Sequence, residues 1–518
     1  MQYIADLHIH SKYSRATSRD LILPNIEKWS KIKGVDIIAT GDFTHPAWFK
    51  DIREQLESAE DGLYRLKPEY HVILNAMKPA RTLRAGGDPE IASSRHGIPA
   101  RLNDSRLGGL PPQMRGQNDT IAEGTDNFHP VKFLLSTEIS LIYTKGDKCR
   151  RLHILVFAPS IETVNKINVH LEKIGNIHSD GRPILGLDAE ELAKIVLDKS
   201  EKCMIIPAHA WTPWFAVFGS KSGFDSLEEC FGTMTKYIYA IETGLSSDPP
   251  MNWRLSMLDN ITLISNSDAH SPSNIAREAN IFEFTRLSYD EIYNTLKNKD
   301  KNKFLKTIEF FPEEGKYHFD GHRECGISFS PEETIKHKGI CPVCKKPLTL
   351  GVDYRVSSLA DRASVPVIAR SDLHAPACAG GQAGAGATRQ SQCPALKPAG
   401  RFPNEPKSQD DSYKIPFTSL VGLEKIIAEA KGVNGVKSKA VQNEYFNLIE
   451  NFGSELKILM DVPMENFANK KIDDNIIEGI KRVRERRLHI KPGYDGVYGE
   501  IKIFEEGEIK KKRQTALL

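Results

Sequence analysis

The 518-residue sequence is short of three things, and each absence removes a class of protein. No apolar run approaches the roughly 20 residues needed to cross a bilayer. No basic segment followed by an apolar core precedes the first chemically interesting residues, so neither a membrane span nor a secretory leader is expected and the chain reads as cytoplasmic. Cysteine is sparse. Eight in 518 residues cannot staple a disulfide framework, and Cys341 and Cys344 have the C-x2-C spacing that suits a metal in a reducing compartment. An excess of one charge is also missing: Lys plus Arg total 70 against 68 for Asp plus Glu, so any nucleic-acid surface must be local. What is present is 40% hydrophobic content over a length that calls for two or three domains.

From residue 1 to about 310, short apolar runs alternate with helical or loop segments. The runs are Tyr3–Ala5, Val35–Ala39, Phe133–Leu135, Leu152–Phe157, Met204–Ile206, Tyr237–Ile241 and Ile261–Ile264. They end in, or contain, Asp6/His8/His10, Asp42, Glu138, His153, His209, Glu242 and Asp268/His270 respectively. Strands alternating with helices favour a parallel sheet, and chemistry at strand C-termini is the habit of α/β barrels, so a barrel-like (β/α) fold is expected here. An isolated His-x-His is more often a pair of satisfied polar groups. Here the two-residue strand period puts Asp6, His8 and His10 on one face, and the later strand ends add more imidazoles and carboxylates than one ion can use. Two or three divalent metals (Zn, Mn, Mg or Fe) fit such a set, and adjacent ions suit phosphoester hydrolysis. The expected ligands are His8, His10, Asp42, Glu138, His153, His209, Asp268 and His270, with Asp268, His270, Glu138 and His209 expected nearest the chemistry.

Two stretches, 78–130 and 363–412, are rich in Gly, Ala, Arg, Pro and Ser without helical or strand period, and read as a disordered insertion and a low-complexity linker. His374, Cys378 and Cys393 in the second are too irregularly spaced for a zinc site. Between the two, residues 311–362 hold His322-x2-Cys325 and, about fifteen residues on, Cys341-x2-Cys344. This is zinc-ribbon spacing for one structural Zn, with His318 as an alternative first ligand. Residues 413–518 form a small C-terminal α/β domain. A helix near 476–488 carries Lys481, Arg482, Arg484, Arg486 and Arg487, and a Gly-rich loop with Tyr494 and Tyr498 follows. A basic helix face is as readily a solvated surface, but cations beside aromatic rings suit phosphates and stacked bases, so Arg482, Arg486, Tyr494 and Tyr498 are DNA-binding candidates. The tail Lys510–Arg513 adds at most non-specific attraction.

Asp6-Leu-His8-Ile-His10-Ser, Thr40-Gly-Asp42, Ser136-Thr-Glu138, Pro207-Ala-His209-Ala and Asn266-Ser-Asp268-Ala-His270-Ser resemble the successive metal-binding motifs of the polymerase and histidinol phosphatase (PHP) family. That resemblance implies a distorted (β/α)7 barrel with a multinuclear metal centre. Within the family the chain is most similar to endonuclease Q-type DNA repair nucleases, through Pro46-x-Trp48, Ala208-His209-Ala-x-Thr212-Pro-Trp214, Gly315-Lys-Tyr-His318, the ribbon, Gly453-Ser-Glu455 and Tyr498-Gly-Glu500. It implies a metal-dependent endonuclease cutting 5′ of deaminated bases (uracil, hypoxanthine, xanthine) or abasic sites, acting on damaged DNA at the nucleoid, with a sliding clamp or other repair proteins as further candidate partners. It also implies a lesion pocket between the barrel and the C-terminal domain, where Trp211 or Trp214, Tyr494 and Tyr498 are candidates to stack. Phe43 departs from the family pattern, which commonly has histidine there, so the second motif offers one ligand unless His45 reaches in. His322 stands where a cysteine is expected. The competing readings are a PHP-type phosphatase or exonuclease on another phosphoester, and a non-catalytic DNA-binding scaffold.

Overall fold

The computed structural model describes residues 1–71, 130–362, 414–505 and 507–509. The expected insertion at 78–130 (but for Pro130), the linker at 363–412 with His374, Cys378 and Cys393, and the basic tail at 510–513 lie outside the described residues.

Each of the seven apolar runs forms a strand. In chain order the strands are Gln2–Asp6 (β1), Ile37–Ala39 (β2), Leu56–Glu60 (β3), Leu63–Leu66 (β4), Lys132–Leu134 (β5), Ser136–Lys145 (β6), Lys148–Phe157 (β7), Ile184–Leu185 (β8) and Met204–Pro207 (β9). Ala240–Glu242 (β10), Thr262–Ile264 (β11), Ala279–Glu283 (β12), Phe304–Glu309 (β13), Asp320–His322 (β14), Ile327–Phe329 (β15), Phe417–Ser419 (β16), His489–Lys491 (β17) and Glu500–Lys502 (β18) follow. The expected single parallel barrel is corrected in two ways. The strands belong to separate sheets, an eight-stranded one ordered β16-β13-β12-β1-β2-β5-β4-β3, a four-stranded one ordered β8-β6-β7-β9, and the pair β10-β11. No closed hydrogen-bonded barrel is present among the described residues. Direction is also mixed: β1-β2-β5 and β10-β11 are parallel, whereas β12 lies antiparallel to β1, and β6, β7 and β9 pair antiparallel. The reason is local. β6 starts two residues after β5 but pairs with β7 over ten registers, from Ser136↔Phe157 to Lys145↔Lys148, and this hairpin draws the chain into a sheet of its own.

Packing joins what the ladders do not. Ala5, Leu7, Ile37, Leu134, Leu155, Phe157, Met204, Ile206, Ala208, Ala240 and Ile264, drawn from or next to all seven strands, share one buried core with Phe282 and Phe304. Removing the Leu, Ile, Met and Phe side chains among these from water stabilises the fold by about 1.5–3 kcal/mol each. The helix Tyr289–Asn298 closes this core on one side. Ser288 caps it by accepting from the Glu291 amide, and Tyr289, Ile292, Tyr293 and Leu296 recur at helical spacing as its buried face.

The C-terminal segment is tied into the same body. β16 extends the large sheet beside β13. The helix Leu23–Lys33 ends at Gly34, which is left-handed (φ 91°) and where a Cβ would lie 2.3 Å from Ser454 Oγ. Lys33 Nζ sits 2.5 Å from Glu455 Oε2, and the Tyr445 hydroxyl and the Leu423 amide donate to the same buried carboxylate. No helix among the described residues is long and apolar enough to cross a membrane.

Candidate metal centre

The strand ends deliver two groups of ligand atoms, each within 4.8 Å of one another: His8, His10 and Asp268, and Glu138, His153 and His209. Glu138 joins them. Its Oε1 lies 2.9 Å from His153 Nδ1 and 3.1 Å from His209 Nε2, while its Oε2 lies 3.4 Å from His10 Nε2 and 3.8 Å from His8 Nε2. His270 Nε2 stands 3.3 Å from Asp268 Oδ1, on the open side. Seven of the eight expected ligands therefore converge.

The eighth, Asp42, does not join either cluster. Its Oδ2 accepts from the Ser11 amide, the Ser11 hydroxyl and the Ser14 hydroxyl, and its Oδ1 lies 3.1 Å from His10 Nδ1. It therefore holds His10 from behind and aims Nε2 at the centre, the arrangement by which an outer carboxylate fixes a metal-binding imidazole. Glu242 does the same for His8. Both its oxygens lie 3.1 Å from His8 Nδ1, and it also accepts from the His209 amide and from Asn266 Nδ2. Asp6 faces away from the cluster as well, accepting from the amides of Ser267 and Ala276, and burial pushes its pKa to about 6. His45 does not reach in. It stacks on Tyr13 at 4.3 Å, and burial lowers its pKa.

The donor chemistry fits a divalent cation. His8 Nε2 is buried without a hydrogen-bond partner although its other nitrogen is anchored, and an imidazole nitrogen left facing carboxylates is the expected state of a ligand awaiting an ion. Burial opposes ionisation of Glu138, but His153, Arg182 and His209 outweigh it and hold its pKa well below the usual carboxylate range. Burial likewise opposes charge on Asp268 but is overcome by His8, His10 and His270. Burial pushes the His153 pKa down to about 4, against the pull of Glu138.

The backbone is specialised here. Asp42 (φ 49°), His209 (φ 31°) and Asp268 (φ 45°) all take the left-handed conformation just past a strand end, which turns each side chain inward. Gly244 is required beside them, because a Cβ would lie 2.6 Å from His209 Cβ.

Two groups had no motif to announce them. Glu242 stood at a strand end but could not be told from a ligand by spacing. Arg182 lies in a loop, and its Nη1 donates to Glu138 Oε2 at 2.9 Å.

A cavity of about 210 Å³ adjoins the centre, lined by Thr212, Trp214, Ser246, Lys316, Tyr317 and His318 among others. Thr212 links the two, its hydroxyl 3.3 Å from His209 Nδ1. Trp214 is 40% exposed and meets Tyr317 edge-on at 5.6 Å, whereas Trp211 is 1% exposed and donates to Asn252, a core role. His318 lines the cavity rather than the cysteine site, and burial lowers its pKa to about 4. His322, Cys325, Cys341 and Cys344 form a third group of converging ligand atoms, with the three cysteines free and His322 Nδ1 3.8 Å from Cys344 Sγ. The left-handed Lys345 (φ 63°) and the bond from its amide to Cys341 O fold this C-x2-C into a tight turn.

The C-terminal candidates separate. Tyr498 is 70% exposed beneath Lys316 Nζ, 4.4 Å from its ring. Tyr494 packs on Gly321 and pairs with Phe319. Arg482 is spent on Glu478, Glu508 and the Ile503 carbonyl, and Arg486 donates to Ser419 and covers the Phe417 ring. Along the helix Asp474–Arg484 and just beyond it, basic side chains serve internal partners. Arg484, for example, donates to the carbonyls of Ile458 and Leu459.

Comparison with known proteins adds the following. A family model described as the MJ0043 C-terminal domain matches residues 422–487. The chain is 25% identical over 300 residues to the uncharacterised protein MJ0043 of Methanocaldococcus jannaschii, a match covering 57% of this chain but 31% of that protein's length. It is 27% identical over 384 residues to the uncharacterised protein YqxK of Bacillus subtilis, covering 73% of this chain and 80% of the relative. Among solved structures it is similar to the lesion-specific endonuclease PfuEndoQ from Pyrococcus furiosus (TM-score 0.68, 26% identity, 98% of this chain and 96% of that one). It is equally similar to an endonuclease Q complexed with a 27-mer duplex substrate bearing an abasic lesion at the active site (TM-score 0.68, 26% identity, 99% of each chain).

Proposed function

We propose that this chain is a metal-dependent DNA repair endonuclease of the endonuclease Q type on a PHP-like scaffold, hydrolysing the phosphodiester 5′ of deaminated bases or abasic sites. The observation that carries the reading is the link between the Glu138-centred ligand clusters and the cavity at Trp214, Tyr317 and His318: Thr212 lines the cavity, and its hydroxyl lies 3.3 Å from His209 Nδ1. A phosphodiester at the first would place its 3′ nucleoside beside the second. The similarity to a lesion-specific endonuclease over nearly the whole chain supports it.

His8, His10, Glu138, His153, His209, Asp268 and His270 are the side chains that would hold two or three divalent cations (Zn, Mn, Mg or Fe), with Glu138 between the subsites. When bound, such cations supply charge neutralisation and Lewis-acid polarisation at a phosphodiester. The chain's own residues supply orientation. Glu242 and Asp42 fix the tautomers of His8 and His10, and Thr212 steadies His209. The cavity would receive a nucleobase turned out of the duplex and present Trp214 and Tyr317 as apolar walls. Extrusion costs least for a mispaired or missing base, which favours lesions before any contact is made. The His322/Cys325/Cys341/Cys344 group would bind one structural Zn and brace the strand leading from His318 at the cavity.

The test is strand cleavage of end-labelled duplexes carrying uracil, hypoxanthine, an abasic site or no lesion, with Mn²⁺, Mg²⁺ or Zn²⁺. Nicking on the 5′ side of the lesion, lost in His8→Ala and Asp268→Ala, is the expected result. Equal cutting of all four duplexes would defeat the repair reading. Binding without cutting under every metal would support a DNA-binding scaffold instead.

A further inference from the structure

Most of the metal centre is closed to solvent. His8, His10 and Glu138 side chains are at most 1% exposed and His153 and His209 10%, whereas Asp268 (24%), His270 (30%) and Arg182 (22%) form the open face. Of these three, only Arg182 carries a charge that is positive at every physiological pH. A phosphate approaching from solvent meets this fixed positive charge at the open face.

The loop around Arg182 is fixed on both sides. Asp180 Oδ1 accepts from the Arg182 amide (3.1 Å) and the Arg15 amide (3.3 Å), and its Oδ2 lies 3.1 Å from Arg15 Nε. The Gly181 amide donates to Tyr13 O, and the Gly181 carbonyl accepts from Thr44. A Cβ at Gly181 would stand 2.3 Å from Asp42 Oδ2 and 2.5 Å from Ser14 Oγ, so only glycine lets this loop press against the groups that hold His10. The Pro183 carbonyl accepts from the Ser140 amide. The guanidinium that this frame presents is underused. A guanidinium has five N–H donors, yet among the described residues its only side-chain hydrogen bond is Nη1 to Glu138 Oε2. A half-buried arginine with donors to spare, on a rigid loop and at the mouth of a ligand cluster, is arranged for an anion rather than for its one carboxylate partner.

We propose that Arg182 is a catalytic residue that binds a non-bridging oxygen of the scissile phosphate through its unspent Nε and Nη2 donors, while Nη1 keeps Glu138 in place. The inference rests on the nuclease reading above and adds to it the group that neutralises the phosphate from the chain's own side. Charge on the non-bridging oxygens must be met by fixed donors as the phosphate is attacked, and a donor set held in place beforehand costs no reorganisation.

The experiment compares wild type, Arg182→Lys and Arg182→Ala on a lesion duplex, with the scissile linkage either an ordinary phosphate or a stereodefined phosphorothioate, and measures metal per chain on the same samples. Arg182→Ala is expected to lose about 100-fold in kcat/KM, and Arg182→Lys to recover about tenfold of it, since the charge returns without the second donor. Metal content should match wild type in both. One phosphorothioate isomer should slow wild type but leave Arg182→Ala nearly indifferent, because the contact that sulfur weakens is already gone. Arg182→Ala within twofold of wild type, or a loss of activity that follows loss of metal and is restored by excess metal, or equal sulfur sensitivity in wild type and variants, would each overturn this role. If Arg182→Ala does not fold, wild type and Arg182→Lys still give the sulfur comparison. Wild type that nicks no lesion duplex removes the parent reading and this one with it.

Discussion

Glu242→Gln tests the organisation of the centre without changing its volume. Three donors converge on the two oxygens of Glu242: His8 Nδ1 at 3.1 Å from each, the His209 amide at 2.7 Å on Oε2, and Asn266 Nδ2 at 2.9 Å on Oε1. A glutamine offers one acceptor oxygen and turns an NH2 towards at least one of those donors. Leaving a buried donor unpartnered costs about 1–3 kcal/mol. Loss of the carboxylate behind a metal-binding imidazole typically weakens metal affinity 10- to 100-fold, or about 1.4–2.7 kcal/mol. The two costs read out separately, the first as a lower urea midpoint of the metal-free protein and the second as a higher Kd in competition with a chromophoric chelator. Asp42→Asn should behave alike through His10. Metal affinity within twofold of wild type in Glu242→Gln, with the fold intact by circular dichroism, would refute the claim that His8 presents Nε2 to an ion and is oriented from behind.

Three further outcomes are expected. Lys33→Met strands the Glu455 carboxylate in the interior and should cost about 3–5 kcal/mol by urea denaturation, whereas Lys33→Met with Glu455→Leu should cost less than the sum of the single changes. Glu309, fully buried with its pKa pushed by burial to about 8, is protonated in the folded chain but ionises near 4.3 when unfolded; stability held below about pH 4 is therefore lost as pH rises through about 8, and Glu309→Gln should flatten that decline in urea midpoints between pH 5 and 8.5. Cys341→Ala should remove one metal equivalent per chain and speed proteolysis between residues 318 and 350, both measured on the purified protein.

Much of the site was legible because its chemistry repeats along the chain. Seven short apolar runs, each ending in or holding a carboxylate or imidazole, located seven strands and the seven candidate ligands that converge without any knowledge of pairing. Closure of the barrel was not legible, because it depends on which edges hydrogen-bond, and the ten registers of the β6-β7 hairpin settle that by drawing the chain into a second sheet. Asp42 and Glu242 show a second limit. Both are carboxylates at strand ends, and only the direction of the imidazole ring in front of each separates an orienting group from a ligand. The basic helix was more readable than the motif view allowed, since Glu478 stands four residues before Arg482 and signals an internal pair. Arg182 carried no signal beyond a glycine at its side, because a loop arginine has no period.

The left-handed backbone at Asp42, His209 and Asp268 has an evolutionary consequence. Non-glycine residues held in such sparsely populated conformations each cost the fold on the order of 1–3 kcal/mol, so two candidate ligands and the carboxylate that orients His10 are also among the positions where the chain is least at ease. Glycine at any of the three would relax the backbone and sacrifice a functional group in one step. Selection for stability alone would therefore erode this centre, and its persistence in a lineage would be a record of selection for activity.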